Sequence, residues 1–152
     1  MRLTSDVLKL DLPSIEDRIK RFIRDYVEKS GANGIVLGVS GGVDSCTTAA
    51  LASLSLGGHK VLGLVLPEEE TYNPTDIQHA KLVAEKFGFA TETIDISSTL
   101  KACFHSIPIY DEVDKLSKGN LKARTRMIYL YYYANKLKRI VCGSSDKSET
   151  MM

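Results

Sequence analysis

Residues 34–45 of this 152-residue chain read GIVLGVSGGVDS. The first six are glycine or apolar, with β-branched members, which is typical of a strand buried on both faces of a sheet. Two adjacent glycines, two serines and an aspartate follow, immediately before a run of small helix formers that ends near Leu56. The stretch therefore predicts a buried strand, a tight polar turn and a helix start.

A glycine-rich turn at that position presents backbone amides and a helix N-terminus to an anion. It is not a Walker loop, because no lysine follows the glycines. Taken alone, the turn is explained equally well as a β-to-α connection in which Asp44 caps the helix.

The alternation of strands and helices continues on both sides of the loop. Further strands are predicted over residues 60–66, 90–96 and 139–143, and helices over 13–30, 44–56, 73–88, 97–106 and 120–138. This order predicts an α/β fold in one domain over residues 1–152, a doubly wound, mostly parallel sheet with helices on both faces. Because such a sheet usually continues past a fourth strand, we expect the domain to be incomplete at its C-terminus.

Composition limits the function classes. Hydrophobic residues make up 43% and charged residues 26%, with a net charge of +1, so neither nucleic acid nor a membrane is predicted as a partner. Three scattered cysteines without a C-x-x-C pair, and three isolated histidines, indicate neither a disulfide framework nor a zinc site. A reducing cytoplasm is the expected compartment.

Charge is unevenly distributed along the chain. Residues 115–147 hold nine Lys or Arg and one acid, whereas residues 68–95 hold seven acids and two lysines. The basic segment is explained equally well as a positive rim for a phosphate-rich substrate or as a solvated helix face. Tyr129, Tyr131, Tyr132 and Tyr133 are too close in sequence to share one helix face, so some should pack in the core and others at an interface.

A second polar loop, residues 143–149 (GSSDKSE), follows the fourth predicted strand. If the first and fourth strands are neighbours, both loops open into one crevice at the carboxyl edge of the sheet. Asp44 and Glu149 would then share a cation, and Mg²⁺ favours one or two carboxylates together with phosphate oxygens and water. Without the paired loop, Glu149 is read as a solvated residue.

Four ordered motifs now point to a family: residues 38–45 (GVSGGVDS), 63–67 (GLVLP), 119–127 (GNLKARTRM) and 143–149. Together they resemble the ammonia-dependent NAD⁺ synthetases, members of the N-type ATP pyrophosphatases. The resemblance implies a Rossmann-like fold of the adenine nucleotide alpha hydrolase type. It also implies a ligase that amidates deamido-NAD⁺ with ammonia through an acyl adenylate, releasing AMP and pyrophosphate.

The resemblance further implies site residues and partners. Arg124 would bind deamido-NAD⁺, Asp44 and Glu149 would hold Mg²⁺, and the protein would be a homodimer; no catalytic residue is assigned. The residues implied to bind ATP are Gly38, Val39, Ser40, Gly41, Gly42, Val43, Asp44, Ser45 and Ser144. The family usually has threonine at position 144, and its members continue further, with a lysine that contacts ATP phosphate.

Two other functions fit the same loop. A tRNA-modifying pyrophosphatase that transfers sulfur would need a persulfide pair or a cluster ligand set, which the three scattered cysteines do not supply. A non-catalytic nucleotide-binding fragment would bind ATP without releasing pyrophosphate.

Overall fold

A computed structural model describes residues 11–144 of the chain. Helices and strands alternate through most of these residues, as the hydrophobic pattern predicts, and two helices follow one another before the last strand. In chain order they are α1 (Leu12–Ser30), β1 (Ile35–Gly38), α2 (Val43–Leu56), β2 (Val61–Val65), α3 (Pro74–Phe87), β3 (Ala90–Thr93), α4 (Ser97–Ser106), α5 (Lys115–Leu137) and β4 (Ile140–Cys142).

The four strands form one parallel sheet in the order β3-β2-β1-β4. β1 pairs with β2 on one side, Ile35 opposite Val61, and with β4 on the other, Ile35 opposite Ile140. The chain runs outward from β1 to β3 and then crosses back to add β4 on the free side of β1. The strand order thus reverses at β1, which is where parallel α/β sheets open a binding crevice.

Both faces of the sheet are covered, as predicted. Ile35 and Leu37 of β1 pack with α1, α2 and α3, while Val36, between them in sequence, packs with α4 and α5. Side chains alternate across a strand, so burial on both faces explains why this strand is apolar at successive positions. The α/β class and the covered parallel sheet are confirmed.

Local signals set most helix ends. Gly31 and Gly88 take the left-handed conformation at the C-termini of α1 and α3. Asn73 caps α3 by accepting a hydrogen bond from the Thr75 amide at 3.1 Å, and Pro74 occupies the first turn.

Three details differ from the sequence prediction. Helix α5 begins at Lys115 rather than at residue 120, because the Asp114 carboxylate accepts from the Ser117 amide at 3.1 Å and Gly119 is accommodated inside the helix. Asp44 is not the cap of α2: Gly42 occupies that position, without a side-chain cap. Strand β3 ends at Thr93 rather than at Ile96.

Within the described residues, no helix is both long enough and apolar enough to cross a membrane.

Candidate functional site

A cleft of about 690 Å³ opens at the carboxyl ends of β1 and β4. Five groups of residues contribute to its wall: the loop after β1, the end of β4 with the loop after it, the carboxyl end of β2, the segment that leads into α3, and one face of α5. The first two groups are Gly38, Val39, Ser40 and Ser45, and Val141, Cys142, Gly143 and Ser144. The loop after β1 and the first two residues of the loop after β4 therefore open into one cleft.

The loop after β1 is held by its own serines. The Ser45 hydroxyl accepts from the Ser40 amide at 3.1 Å, lies 3.0 Å from the Ser40 hydroxyl and donates to the Gly42 carbonyl at 3.1 Å. The Ser40 hydroxyl accepts from the Gly42 amide at 3.3 Å. These bonds fix the turn before any ligand arrives, and Ser45 is buried while Ser40 is exposed.

Gly41 is required by its surroundings. Its φ of 86° lies in the left-handed region, and a Cβ at this position would sit 2.3 Å from the Asp76 carbonyl oxygen. Only glycine lets the loop pass this close to the first turn of α3. At Gly42 the nearest atom to a Cβ is the Ser40 hydroxyl at 3.3 Å, which is a milder constraint.

The N-terminus of α2 completes this part of the site. The helix begins at Val43, directly after the glycines, and its first amides have no partner within the helix. Such amides carry a partial positive charge and bind phosphate or carboxylate oxygens. The loop therefore offers an anion a rigid turn with backbone donors.

The predicted metal pair is described only in part. Asp44 is exposed in the first turn of α2 and is not among the residues that line the cleft. Glu149 lies outside the described residues, so the Asp44–Glu149 site stays a prediction. Within residues 11–144, no three His, Cys, Asp or Glu side chains cluster to hold a metal ion, and His59, His79 and His105 are exposed.

Helix α5 presents one face to the cleft and another to its outside. The face on the cleft comprises Ala123, Arg126, Met127, Leu130 and Tyr131, a spacing of three and four residues. Arg124 is not among the residues that line the cleft, although it lies only about 20° around the helix from Tyr131, at the edge of that face. It is exposed, and donates to the side-chain and main-chain oxygens of Asn120 at 3.2 and 3.4 Å.

Arg126 was not singled out in the sequence. Its Nε donates to the Leu66 carbonyl at 3.2 Å, at the carboxyl end of β2. Arg126 recurs with the other cleft residues of α5 at a spacing of three or four. This spacing identifies Arg126 only when it is known which face of the helix the sheet covers.

A cluster of ion pairs holds the loop between β2 and α3, several of whose residues also line the cleft. The Lys122 ammonium contacts Glu68 at 2.8 Å and Glu70 at 2.6 Å, and Lys118 contacts Glu70 at 2.5 Å. Glu68 also accepts from the Thr71 hydroxyl at 2.8 Å and from the Glu70 amide at 3.0 Å. The acidic and basic segments of the sequence are thus paired here. Neither explanation offered for the basic segment, a free positive rim or a solvated helix face, describes Lys118 and Lys122.

The pKa values in this cluster follow from the geometry. Lys118 and Lys122 lower the pKa of Glu70 to about 2. Burial alone would raise the pKa of Glu68, but hydrogen bonds from Lys122, Thr71 and the Glu70 amide outweigh burial and lower it. Both carboxylates are therefore ionised near neutral pH.

The tyrosines of α5 differ in burial, and the predicted interface stays a prediction. Tyr129 and Tyr133 are half-buried: the Tyr129 hydroxyl lies 2.6 Å from that of Thr99, and Tyr133 donates to Glu92 at 2.6 Å. Tyr131 and Tyr132 are more than half exposed. Cys142 is half-buried at the wall of the cleft, where burial raises its pKa.

Comparison with known proteins identifies relatives of the chain. The NAD synthase family model matches residues 15–152. The NH(3)-dependent NAD(+) synthetase of Methanocaldococcus jannaschii is 49% identical over 140 residues, which are 91% of this chain and 53% of the relative. The chain therefore spans about half the length of this curated relative.

Two solved structures share the fold. The NH3-dependent NAD synthetase from Campylobacter jejuni, in complex with the nitrate ion, matches with a TM-score of 0.85 and 31% identity, covering 93% of this chain and 60% of that one. The NMN synthetase from Francisella tularensis matches with a TM-score of 0.84 and 30% identity, covering 93% and 57%.

Proposed function

This chain belongs to the NAD synthase family, and on that premise we propose that the protein amidates deamido-NAD⁺ with ammonia at the expense of ATP, releasing AMP and pyrophosphate. The observation that carries the proposal is one cleft, beside a helix N-terminus, that is lined both by the loop after β1 and by Gly143 and Ser144, the first two residues of the loop after β4. A sequence identity of 49% to an ammonia-dependent synthetase, over 91% of this chain, supports the same choice of substrates.

The chemistry explains why a phosphate site is needed. A carboxylate accepts ammonia poorly, because it is anionic and its oxygen is a poor leaving group. Attack of the nicotinate carboxylate on the α-phosphorus of ATP expels pyrophosphate and forms an acyl adenylate. Ammonia then attacks the acyl carbon and AMP leaves, so the amide forms with a good leaving group.

Catalysis of the first step rests mainly on position and charge. We assign the phosphates to the turn from Gly38 to Ser45, whose backbone is fixed by the Ser40 and Ser45 hydroxyls. Ser144 faces them from the loop after β4. A preorganised donor set of this kind binds charge without rearranging during the reaction.

We propose that Mg²⁺ binds beside the phosphates. Asp44 lies in the first turn of α2, and Mg²⁺ favours one or two carboxylates with phosphate oxygens and water. We propose Asp44 and Glu149 as its protein ligands; when bound, the ion would neutralise phosphate charge.

The outer face of α5 is the proposed dinucleotide and subunit surface. Arg124 lies on the same side of the helix as Ile128 and Tyr132, whose side chains are 63% and 67% exposed. We propose that a second copy of the protein covers this apolar strip and that Arg124 binds deamido-NAD⁺ at its edge. A reducing cytoplasm is the proposed compartment, in keeping with three cysteines that form no disulfide.

A second candidate differs in the substrate. The fold resembles that of an NMN synthetase almost as closely as that of an NAD synthetase, with TM-scores of 0.84 and 0.85. Nicotinate mononucleotide carries the same carboxylate as deamido-NAD⁺, so the adenylation chemistry would be unchanged. The fold alone therefore does not choose between mononucleotide and dinucleotide.

The test is a product assay with the full chain. With ATP, Mg²⁺ and ammonium, deamido-NAD⁺ should yield NAD⁺ and AMP in equal amounts, while nicotinate mononucleotide should react much more slowly. An Asp44→Asn variant should lose most of the activity, and a Lys136→Met variant, which removes an exposed charge from α5, should retain it. ADP as the nucleotide product, or preference for the mononucleotide, would contradict the proposal.

A further inference from the structure

We infer that Arg126 is an anion-binding residue of the cleft and contacts phosphate oxygens of the bound nucleotide. Among the described residues that line the cleft, Arg126 is the only lysine or arginine, and Asp76 is the only acid. The cleft that receives the most highly charged substrate therefore has one cationic side chain within the described part of the chain. The inference rests on the proposed function and adds a contact that the motif comparison does not assign.

The side chain is anchored so that its charge faces a defined direction. Its Nε donates to the Leu66 carbonyl at 3.2 Å, and the residue is half-buried. A guanidinium carries five N–H donors in one plane, so this bond leaves four donors on Nη1 and Nη2. Those nitrogens hydrogen-bond to no other residue among 11–144, and no carboxylate of that range lies within 4.0 Å of them.

This arrangement suits phosphate in particular. The planar edge of a guanidinium matches two phosphate oxygens at once, which a lysine ammonium does not. Ser40 and the start of α2 supply neutral donors at the same cleft. An anion in the cleft would receive neutral donors from the loop after β1 and a full positive charge from Arg126.

The neighbouring cations are committed elsewhere. Lys118 and Lys122 pair with Glu68 and Glu70, and Arg124 donates to Asn120 and does not line the cleft. Arg126 is therefore the basic residue of the 119–127 motif that the fold directs into the cleft.

The experiment compares binding of ATP and adenosine to the full chain by isothermal titration. In Arg126→Met, ATP affinity should fall about 10- to 100-fold, the usual cost of a charge-assisted contact, while adenosine affinity should not change. Arg126→Lys should lose less ATP affinity than Arg126→Met, because it keeps the charge without the planar fork. Lys136→Met, on an exposed position of the same helix, should leave both affinities unchanged.

The possible results distinguish failure of the Arg126 contact from failure of the proposed function. Equal loss of ATP and adenosine affinity in Arg126→Met would mean that the bond to Leu66 only supports the wall, and would overturn the inference. Unchanged ATP affinity would overturn it as well. If Arg126→Met fails to fold, Arg126→Lys gives the same comparison. A parent protein that binds no ATP would overturn the proposed function itself, and the role of Arg126 with it.

Discussion

Lys122→Met tests whether the ion-pair cluster holds the loop that borders the cleft. The Lys122 and Glu68 side chains are 12% and 4% exposed, and their charged atoms lie 2.8 Å apart. Methionine keeps the length and the apolar stem of lysine but removes the charge. Glu68 would then be a buried carboxylate without a cation.

The magnitude follows from that burial. Removing one partner of a buried ion pair typically costs about 3 to 5 kcal/mol, because the remaining charge has lost its compensation. Glu68 keeps its hydrogen bonds from the Thr71 hydroxyl and the Glu70 amide, so we expect the lower end of that range, about 3 kcal/mol. The pKa of Glu68 should rise in the variant, since the hydrogen bond from Lys122 is one of the effects that lower it.

Urea unfolding at pH 7 and pH 4 provides the assay. Protonation neutralises an unpaired Glu68, so the loss in unfolding free energy should be smaller at pH 4 than at pH 7. The double variant Lys122→Met with Glu68→Gln should recover part of the stability, because no buried charge is left unpaired. A loss below about 1 kcal/mol at pH 7, or an equal loss at both pH values, would refute the burial argument.

Four further predictions concern single positions. Gly41→Ala should lower the unfolding free energy by at least about 1 to 2 kcal/mol, from its positive φ and the clash with the Asp76 carbonyl, whereas Gly42→Ala should cost less; equal losses in urea unfolding would contradict this. Thr125→Val should raise stability by about 1 kcal/mol, since the buried Thr125 hydroxyl has no hydrogen-bond partner among the described residues; a loss would mean that the hydroxyl is satisfied. The pKa of Glu70 is lowered to about 2 in the folded protein, so its ion pairs add to the free energy of unfolding above its ordinary pKa of 4.5 and are lost as the pH falls toward 2. Lys118→Met should therefore make the unfolding free energy fall less steeply over that pH range. Acid-unfolding curves that run parallel for parent and variant would count against the pairing. Arg124→Ala should weaken deamido-NAD⁺ binding far more than ATP binding, and equal losses by titration would assign the arginine to the fold.

The order of elements and the class of the fold were predictable from the sequence. Apolar runs with β-branched residues mark strands buried on both faces, and glycines after periodic segments mark helix ends such as Gly31 and Gly88. The neighbourhood of β1 and β4 was a hypothesis drawn from two polar loops, and the register of Ile35 with Ile140 confirms it.

The remainder depended on contacts distant in sequence. The start of α5 was misplaced because a polar segment and Gly119 obscured a helix whose cap is Asp114. The pairing of Lys122 with Glu68 joins residues 54 positions apart, which no local pattern encodes. Which of the two arginines enters the cleft depends on which face of α5 lies on the sheet. The sequence of the helix alone does not distinguish Arg124 from Arg126 in this respect.

The fate of the carboxylate oxygen is the most direct measurement of the proposed activation. Deamido-NAD⁺ labelled with ¹⁸O in the nicotinate carboxylate would be incubated with the full chain, ATP, Mg²⁺ and ammonium, and the nucleotide products analysed by mass spectrometry. Attack on the α-phosphorus requires that AMP leaves with one labelled oxygen for each NAD⁺ formed. Label in inorganic phosphate with ADP as the product, or NAD⁺ formed with unlabelled AMP, would contradict adenylation in this cleft.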